Sequence, residues 1–282
     1  YRHRLAVTIE RANNEMAKKT RTPDEQISRL RNYNVVAGFL HLIQAIGFSY
    51  VLTLLDRQIL YPVKIEYPTG PPGVASPVDV VVLFEINIGA GIVGFLGLSA
   101  LFHFIISSPM FFGRYSAGLK LNHNYFRWVE YSLSSSVMIF CIALLNGITD
   151  IAALVAIFAV NASMILFGAL QEKYETPGNG KGLPFIFGSM TGIVPWLILI
   201  LYIWQPGATN ASEIPGFVYG IVVALFLFFN TFGFNQAFQY KQIGPWRNYL
   251  FGEKTYITLS LVAKTVLAWQ IFSGAIIPAL VS

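Results

Sequence analysis

The sequence predicts an all-α membrane protein, a bundle of seven transmembrane helices with a β-ribbon in the loop between helices 1 and 2. Of its 282 residues, 55% are hydrophobic and only 12% are charged, whereas soluble domains carry about 25% charged residues. Seven apolar runs are long enough to cross a bilayer, which requires about 20 mostly apolar residues. Most connections between these runs are short, which favours antiparallel packing of neighbouring helices.

The limits of the apolar runs give the predicted helices in chain order. Residues 1–32 are polar and basic, and we interpret them as a tail ahead of a bundle domain that covers residues 33–282. The start of the chain is too polar for a secretory signal peptide. The seven spans are predicted at 33–55, 81–107, 124–146, 150–171, 183–204, 214–240 and 254–279.

The first connection, about residues 56–79, is the exception to the short loops. It contains ILYPVKIEY, whose β-branched and aromatic residues are typical of a strand, followed by the turn-rich stretch PTGPPG. We therefore predict an ordered β-ribbon outside the membrane. An unstructured loop rich in glycine and proline is the alternative.

The basic residues predict the orientation of the bundle in the membrane. The net charge of +5 is compatible with nucleic-acid binding, but the lysines and arginines are concentrated in the tail and the connections, as orientation signals are. Fifteen lie on the side of the N-terminal tail and two, Arg57 and Lys64, lie on the other side. The pattern predicts a multi-pass protein of the cell membrane with a cytoplasmic N-terminus, an extracellular C-terminus and no nucleic-acid partner.

Two ionisable groups, histidines aside, are predicted to lie well inside the spans: Glu130 in span 3 and Lys264 in span 7. At 1.5 Å per residue they lie about 9 Å and about 15 Å from their helix starts, and the lysine side chain leans back toward the glutamate. They form either a plain ion pair, or a site in which a desolvated lysine forms a Schiff base with a carbonyl compound and the carboxylate balances its charge.

The sequences around these two residues resemble one family of retinal-binding proteins. RWVEYSLSSSVMI in span 3 and SLVAKTVLAWQIFSG in span 7 are similar to the helix 3 and helix 7 signatures of the heliorhodopsins. The inverted orientation and the long first connection also resemble that family. The resemblance implies all-trans retinal bound covalently to Lys264, Glu130 as counter-ion, Ser260 beside the Schiff base, and a homodimer that uses the ribbon.

The resemblance also implies a set of residues around the chromophore. Two histidines, His41 and His103, are expected to face a polar cavity that holds the Schiff-base proton after light absorption; each could instead be an ordinary buried histidine. The residues expected to line the polyene are Ser134, Met138, Asn161, Met164, Phe229 and Gln236. Phe229 stands where other microbial rhodopsins have a tryptophan. Without the resemblance, the aromatic and methionine side chains of this set would be interpreted as core packing.

The function predicted from these features is light sensing without ion pumping or enzymatic activity. Light converts retinal from all-trans to 13-cis, the proton moves locally, and the protein signals to an unidentified partner. Span 3 has no carboxylate after Glu130, so no chain of acids crosses the membrane. The alternatives are a light-driven ion transporter and a seven-helix carrier or receptor without retinal. Cys141 is the single cysteine, so no disulfide forms within the chain, and no metal site is predicted.

Overall fold

A computed structural model describes residues 22–55, 58–71, 73–74, 76–208 and 214–278 as a bundle of helices with one β-ribbon. The elements are α1 (Pro23–Thr53), β1 (Leu60–Pro68), β2 (Val78–Asn87), α2 (Ile88–Ser107), α3 (Pro109–Lys120), α4 (Tyr125–Leu145), α5 (Ile151–Tyr174), α6 (Leu183–Trp204), α7 (Gly216–Tyr240) and α8 (Tyr249–Ile271). In this part of the chain, all the helices except α3 are long and apolar enough to cross a membrane, seven in total. The predicted fold class is confirmed.

Helix α1 begins at Pro23, well before the predicted limit at residue 33. Thr22 caps it, because its hydroxyl accepts a hydrogen bond from the Glu25 amide at 3.3 Å while the Glu25 carboxylate accepts from the Thr22 amide at 3.0 Å. This capping box satisfies two backbone donors at the start of the helix. The end of the predicted tail is therefore helical, and residues 1–21 lie outside the described part of the chain.

The predicted β-ribbon is confirmed, with a different boundary toward the second span. Strands β1 and β2 pair antiparallel, and β2 continues to Asn87. The prediction of a helix over residues 81–87 is wrong, because an apolar run rich in β-branched residues has the hydropathy of a buried helix and the conformation of a strand. Asn87 then caps α2 through its side chain, which accepts a hydrogen bond from the Gly89 amide at 2.9 Å.

Helix α3 is an additional element in the predicted connection between spans 2 and 3. Pro109 occupies its first turn, a position that tolerates a proline because no intrahelical bond is lost there. Tyr115 and Leu119 are the buried side chains of its apolar face and pack in a cluster with Ile27 and Leu30 of α1. The helix thereby brings the hydroxyl of Tyr115 into the bundle.

Helix α4 lies at the centre of the bundle. In its apolar stretch 72% of the residues are buried, compared with 22–39% in the other spans. We call the two ends of the bundle the ribbon end, where α1 ends and α2 begins, and the far end, where α2 ends and α4 begins. At the ribbon end, β1 is attached to the α4–α5 connection by a hydrogen bond from the Lys64 amide to the Thr149 carbonyl at 2.8 Å. The ribbon is thus attached to the bundle next to the end of α4.

Candidate functional site: a buried lysine, two cavities and a second charged cluster

Lys264 and Glu130 meet inside the bundle. The Lys264 amine on α8 lies 2.6 Å from the Glu130 carboxylate on α4 and donates a hydrogen bond to Ser260 Oγ, one turn earlier on α8, at 3.0 Å. The same carboxylate oxygen of Glu130 accepts from the Ser99 hydroxyl of α2 at 2.7 Å. All four residues are buried. The Lys264 nitrogen, the atom that would form a Schiff base, is thus in contact with an anion and a hydroxyl.

A cavity of about 380 Å³ extends from the Lys264 amine between α4, α5, α6, α7 and α8. This volume falls within the usual range of small-molecule sites, which are mostly apolar with few polar groups. Its lining includes seven of the residues predicted for the site: Ser134, Met138, Met164, Phe229, Gln236, Ser260 and Lys264. The cavity therefore brings together side chains from five helices around one amine.

Aromatic rings form part of the wall of this cavity. Trp196 packs edge-to-face on Phe229 with ring centroids 5.6 Å apart, and Tyr131 does the same on Phe232 at 5.4 Å. Gly188 of α6 sits against α5, where a Cβ atom would meet Phe167 at 2.9 Å, so the two helices approach closely beside the slot. A flat apolar slot with an amine on its wall fits a conjugated polyene aldehyde.

Two polar residues expected at the polyene differ in their placement. Ser134 lies on the lining, and its buried hydroxyl has no hydrogen-bond partner within the described residues. Asn161 is not on the lining: its amide donates to the hydroxyls of Ser135 and Ser136 at 2.9 and 3.0 Å. Its polar side chain turns toward these hydroxyls of α4, and it joins α5 to α4 instead of forming the wall of the slot.

Gln236 lines the cavity and is also tied to the backbone of a neighbouring helix. Its side-chain amide donates to the Gly168 carbonyl of α5 at 3.0 Å. Gly168 is close-packed, because a Cβ atom there would strike the ring of Trp128. Gln236 therefore joins α7 to α5 at this end of the slot.

The two histidines stack on each other beside the Lys264–Glu130 pair. The rings of His41 and His103 are 5.6 Å apart and nearly parallel. His103 Nδ1 lies 2.7 Å from Asn34 Oδ1. Because the Asn34 NH₂ group donates to the Leu30 carbonyl at 2.8 Å and to the Tyr115 hydroxyl at 3.1 Å, its oxygen is the acceptor and His103 Nδ1 carries the hydrogen.

His103 also lines a second, smaller cavity of about 30 Å³ toward the far end of the bundle. That volume can hold one or two water molecules. Its polar walls are formed by Asn34, Ser99, His103, Asn124, Arg127, Glu130 and Glu253. His41 is not among the lining residues and lies behind His103. We call this space the far cavity.

A second buried charged cluster was missed by the sequence prediction. Arg127 of α4 forms ion pairs with Glu172 of α5 and Glu253 of α8, and all three side chains are buried. The three residues lie near the far ends of their helices, whereas Glu130 and Lys264 lie further inside theirs. The predicted spans ended at residue 171 and began at residue 254, just short of the two carboxylates. Opposite charges at the same end of three helices are the signal that could have found the cluster.

Hydrogen-bond donors surround both carboxylates of this cluster. Glu172 accepts from the Asn124 amide at 2.9 Å, from Trp128 Nε1 at 2.7 Å and from the Tyr249 hydroxyl at 3.1 Å. Glu253 accepts from the Asn124 side chain at 2.7 Å and from the Tyr115 hydroxyl at 3.3 Å. Both carboxylates act only as acceptors here, which is the pattern of the ionised form.

Comparison with known sequences identifies the family. The sequence model of the heliorhodopsins matches residues 30–276, nearly the whole chain. The chain belongs to the heliorhodopsin family. The motifs around Glu130 and Lys264 lie inside this match. A comparison with curated proteins gives no match.

Solved structures with the same fold are microbial rhodopsins. Cyanorhodopsin from the cyanobacterium Tolypothrix sp. is similar with a TM-score of 0.62 and 12% identity, over 87% of this chain and 93% of that one. The transmembrane domain and linker region of the Salpingoeca rosetta rhodopsin phosphodiesterase gives 0.60 and 11%, over 94% and 74%. Thermophilic rhodopsin gives 0.56 and 13%, over 91% and 96%. At these identities the likeness establishes the fold, and with the family match it makes this heliorhodopsin a retinal-binding rhodopsin.

Proposed function

We propose that this heliorhodopsin is a light sensor that holds all-trans retinal covalently on Lys264 and does not pump ions. The contact of the Lys264 amine with the Glu130 carboxylate, beside the flat apolar slot, carries the proposal. Lysine amines form Schiff bases with aldehydes. Retinal bound in this way supplies the absorption of visible light and the photoisomerisation from all-trans to 13-cis.

The side chains around Lys264 prepare its nitrogen for a positive charge. Glu130 provides the balancing negative charge, and the Ser99 hydroxyl holds its carboxylate on the side of the amine. Ser260 adds a neutral hydrogen-bond partner. A charge buried in this way requires both a partner and hydrogen bonds to offset its desolvation, and the three residues supply them.

We propose that the proton released from the Lys264 nitrogen moves locally, toward the far cavity, and returns. His103 lines that cavity with its Nδ1 hydrogen fixed by Asn34, so Nε2 is the acceptor of the ring. His41 stacks behind it and completes the histidine pair. An imidazole ring can accept a proton at one nitrogen while the other keeps its hydrogen bond, which suits it to transient proton transfer.

The non-pumping proposal now rests on a different feature from the one the sequence suggested. Two further carboxylates are present, so the scarcity of intramembrane acids no longer supports it. Support comes from Arg127, which lies on the wall of the far cavity and is bonded to Glu172 and Glu253. The guanidinium does not release its own proton, so Arg127 cannot relay protons onward to the far end.

Lys264→Ala and Lys264→Arg test the covalent attachment together. Wild-type protein reconstituted with all-trans retinal is expected to give a visible absorption band that both variants lack. Arginine keeps the buried cation beside Glu130 but forms no Schiff base, so it controls for misfolding caused by an unpaired carboxylate. A visible pigment in the Lys264→Arg variant would contradict covalent attachment at this residue, and the absence of a pigment in the wild type would contradict the retinal proposal.

Illumination of cells that express the protein tests the non-pumping proposal. The pH of a weakly buffered suspension is expected to stay unchanged, whereas cells with a proton-pumping rhodopsin, used as control, change it. A light-induced pH change that a protonophore abolishes would establish proton transport. Changes that depend on chloride or sodium would indicate transport of those ions.

We propose that the signal is passed to a separate, unidentified partner and that the chain has no enzymatic activity of its own. The similarity to a rhodopsin phosphodiesterase covers the transmembrane domain and linker region of that protein. This similarity supports a shared light-sensing bundle. Copurification of native membrane proteins with the dark and the illuminated pigment would test for the partner.

We propose that the far end of the bundle faces the cytoplasm, as the fifteen-to-two distribution of basic residues predicts. The native Cys141 is buried, so an introduced cysteine reports on its own position. A membrane-impermeant thiol reagent is expected to label Tyr67→Cys, in the ribbon, on intact cells. Asn179→Cys, in the α5–α6 connection, should be labelled only after the cells are opened. The opposite pattern would reverse the orientation.

We propose that the ribbon forms a homodimer interface. Val78, Val80 and Val82 alternate along β2 and are 52%, 46% and 52% exposed, and such apolar strand faces are typical of interaction sites. Val82→Lys should shift the detergent-solubilised protein from dimer to monomer in light scattering. Val74→Lys, which changes an exposed valine of the adjoining turn, is the control. A dimer that survives Val82→Lys would place the interface elsewhere.

A further inference from the structure

The far cavity connects the site at Lys264 with the Arg127 cluster. Glu130, which contacts the Lys264 amine, lies on its wall, and so does Glu253, which is bonded to Arg127. Glu172, the other partner of Arg127, is not on the lining. Of the two carboxylates in the cluster, Glu253 is therefore the one that a proton can reach from Glu130 across the far cavity.

The cluster carries one more negative charge than it has cations. Arg127 is the single cation bonded to Glu172 and Glu253 within the described residues. An excess buried charge is costly, and the gain of a proton removes it. The guanidinium cannot supply this proton, because arginine stays protonated in proteins. The cluster is thus a place where an arriving proton is stabilised.

The Glu253 carboxylate is in a form that can accept that proton. Its contacts with Arg127, Asn124 and Tyr115 all have the carboxylate as acceptor. The Tyr115 hydroxyl accepts from Asn34 and donates to Glu253, so it holds one oxygen in place. The contacts of the structure therefore satisfy the ionised form of Glu253.

His103 is a less favourable final position for the proton. A proton that remained on His103 would put two cations, His103 and Arg127, on the walls of one cavity of about 30 Å³. His103 also cannot pass a proton through Asn34 to Tyr115, because the oxygen of Asn34 only accepts. The ring is suited to taking a proton at Nε2 and releasing it from the same atom into the cavity.

We infer that Glu253 is the group that holds the proton released from the Lys264 nitrogen, until that proton returns. The N–H bond at Lys264 breaks, an O–H bond forms on the Glu253 carboxylate, and the cluster of Arg127, Glu172 and Glu253 becomes neutral. This inference rests on the proposed function, because it requires the pigment and a deprotonated photoproduct.

Light-induced difference infrared spectroscopy of the reconstituted pigment tests the inference. The carbonyl stretch of a newly protonated carboxylic acid should appear together with the deprotonated photoproduct. The band is expected to be lost in Glu253→Gln and to keep its frequency in Glu172→Asp, which retains the negative charge of the other partner of Arg127 at a residue that does not line the cavity. Glu253→Asp should keep the band at a shifted frequency and provides a second assignment if Glu253→Gln does not yield pigment.

Each outcome of this experiment decides one question. A band that persists in Glu253→Gln, or keeps its frequency in Glu253→Asp, would assign the proton to another acid such as Glu130. A wild-type deprotonated photoproduct without a carboxylic acid band would place the proton on a histidine or in water. Both results overturn the inference and leave the proposed function intact. Failure to form any deprotonated photoproduct would instead contradict the local proton transfer of the proposed function.

Discussion

Two buried charged groups lie along α4, and they differ in the kind of cation that each contains. Glu130 pairs with the amine of Lys264, and Arg127, three residues earlier, pairs with Glu172 and Glu253. A lysine amine readily loses its proton and reacts with carbonyl compounds, whereas a guanidinium keeps its charge. The first group is therefore suited to covalent chemistry, whereas the cation of the second group keeps its charge throughout.

The surroundings of the two groups follow the same division. Lys264 lies on the wall of the retinal slot. The carboxylate of its partner, Glu130, accepts one further hydrogen bond, from Ser99. The Arg127 cluster is enclosed by donors from Asn124, Trp128 and neighbouring tyrosines. Within the described residues, Arg127 Nε is the atom of its guanidinium that has no hydrogen-bond partner. The bundle thus combines a reactive pair with a densely bonded charged cluster less than one helical turn away.

The largest effect is expected from Arg127→Met, which leaves two buried carboxylates without their cation. Loss of one partner of a buried ion pair costs about 3–5 kcal/mol. We expect a low yield of folded pigment and a strongly lowered thermal midpoint, measured by the loss of visible absorption on heating. Arg114→Met, at an exposed arginine of α3, should change the midpoint little and serves as the control.

Neutralisation of the whole cluster tests whether uncompensated charge causes that loss. The combined variant Arg127→Met, Glu172→Gln and Glu253→Gln removes all three charges, and replacement of a complete buried ion cluster is often nearly neutral. Its thermal midpoint should recover most of the stability lost in Arg127→Met. No recovery would mean that the hydrogen bonds of Arg127, and not its charge, hold the three helices together.

Glu130→Gln should cost less stability than Arg127→Met, because the Lys264 amine can release its proton when its carboxylate is removed. In the pigment, loss of the negative partner changes the energy of the positive charge at the nitrogen. We expect the visible maximum to move, or a near-ultraviolet band to replace it at neutral pH. Ser134→Ala, on the same slot but without charge, should move the band less. An unchanged spectrum in Glu130→Gln would assign the counter-ion to another group.

Asn34→Leu should have an intermediate effect, because Asn34 joins His103 of the reactive side to Tyr115 of the cluster. The variant leaves the buried His103 Nδ1 hydrogen without its acceptor, which costs about 1–3 kcal/mol. Thermal unfolding measures this cost. Asn179→Leu, at an exposed asparagine of the α5–α6 connection, is the matched control. Equal midpoints for the two variants would contradict the assigned role of Asn34.

The sequence was sufficient for the reactive pair and insufficient for the cluster, for a physical reason. Lys264 and Glu130 interrupt long apolar runs, so each stands out as a charge that needs a partner. Glu172 and Glu253 fall at the ends of such runs, where hydropathy places the membrane boundary at the charge itself. Arg127 balances the charge of both carboxylates, so they can be buried beyond that boundary. This pairing depends on contacts between three helices, which one sequence does not reveal.

The same reasoning separates the elements that were predicted from those that were not. The seven spans follow from length and hydropathy, and the ribbon follows from β-branched residues beside a turn. The extent of β2 through Asn87 was missed because an apolar strand and an apolar helix have the same hydropathy. Helix α3 was missed because twelve residues with few buried side chains give a weak pattern. It nevertheless supplies Tyr115, which contacts Glu253.

The smallest effect is expected from Ser99→Ala, and it measures how far the geometry of Glu130 depends on its support. The Ser99 hydroxyl donates to the carboxylate oxygen that also contacts the Lys264 amine. Hydrogen bonds to charged groups contribute about 1.5–3 kcal/mol, but the carboxylate here keeps its bond to the amine, so we expect the lower end of that range. The absorption maximum should shift in the same direction as in Glu130→Gln and by less. A shift as large as that of Glu130→Gln would mean that the Ser99 hydroxyl is needed to hold the Glu130 carboxylate beside the nitrogen. A carboxylate that turns away from the nitrogen would change the absorption as much as a carboxylate that has been removed.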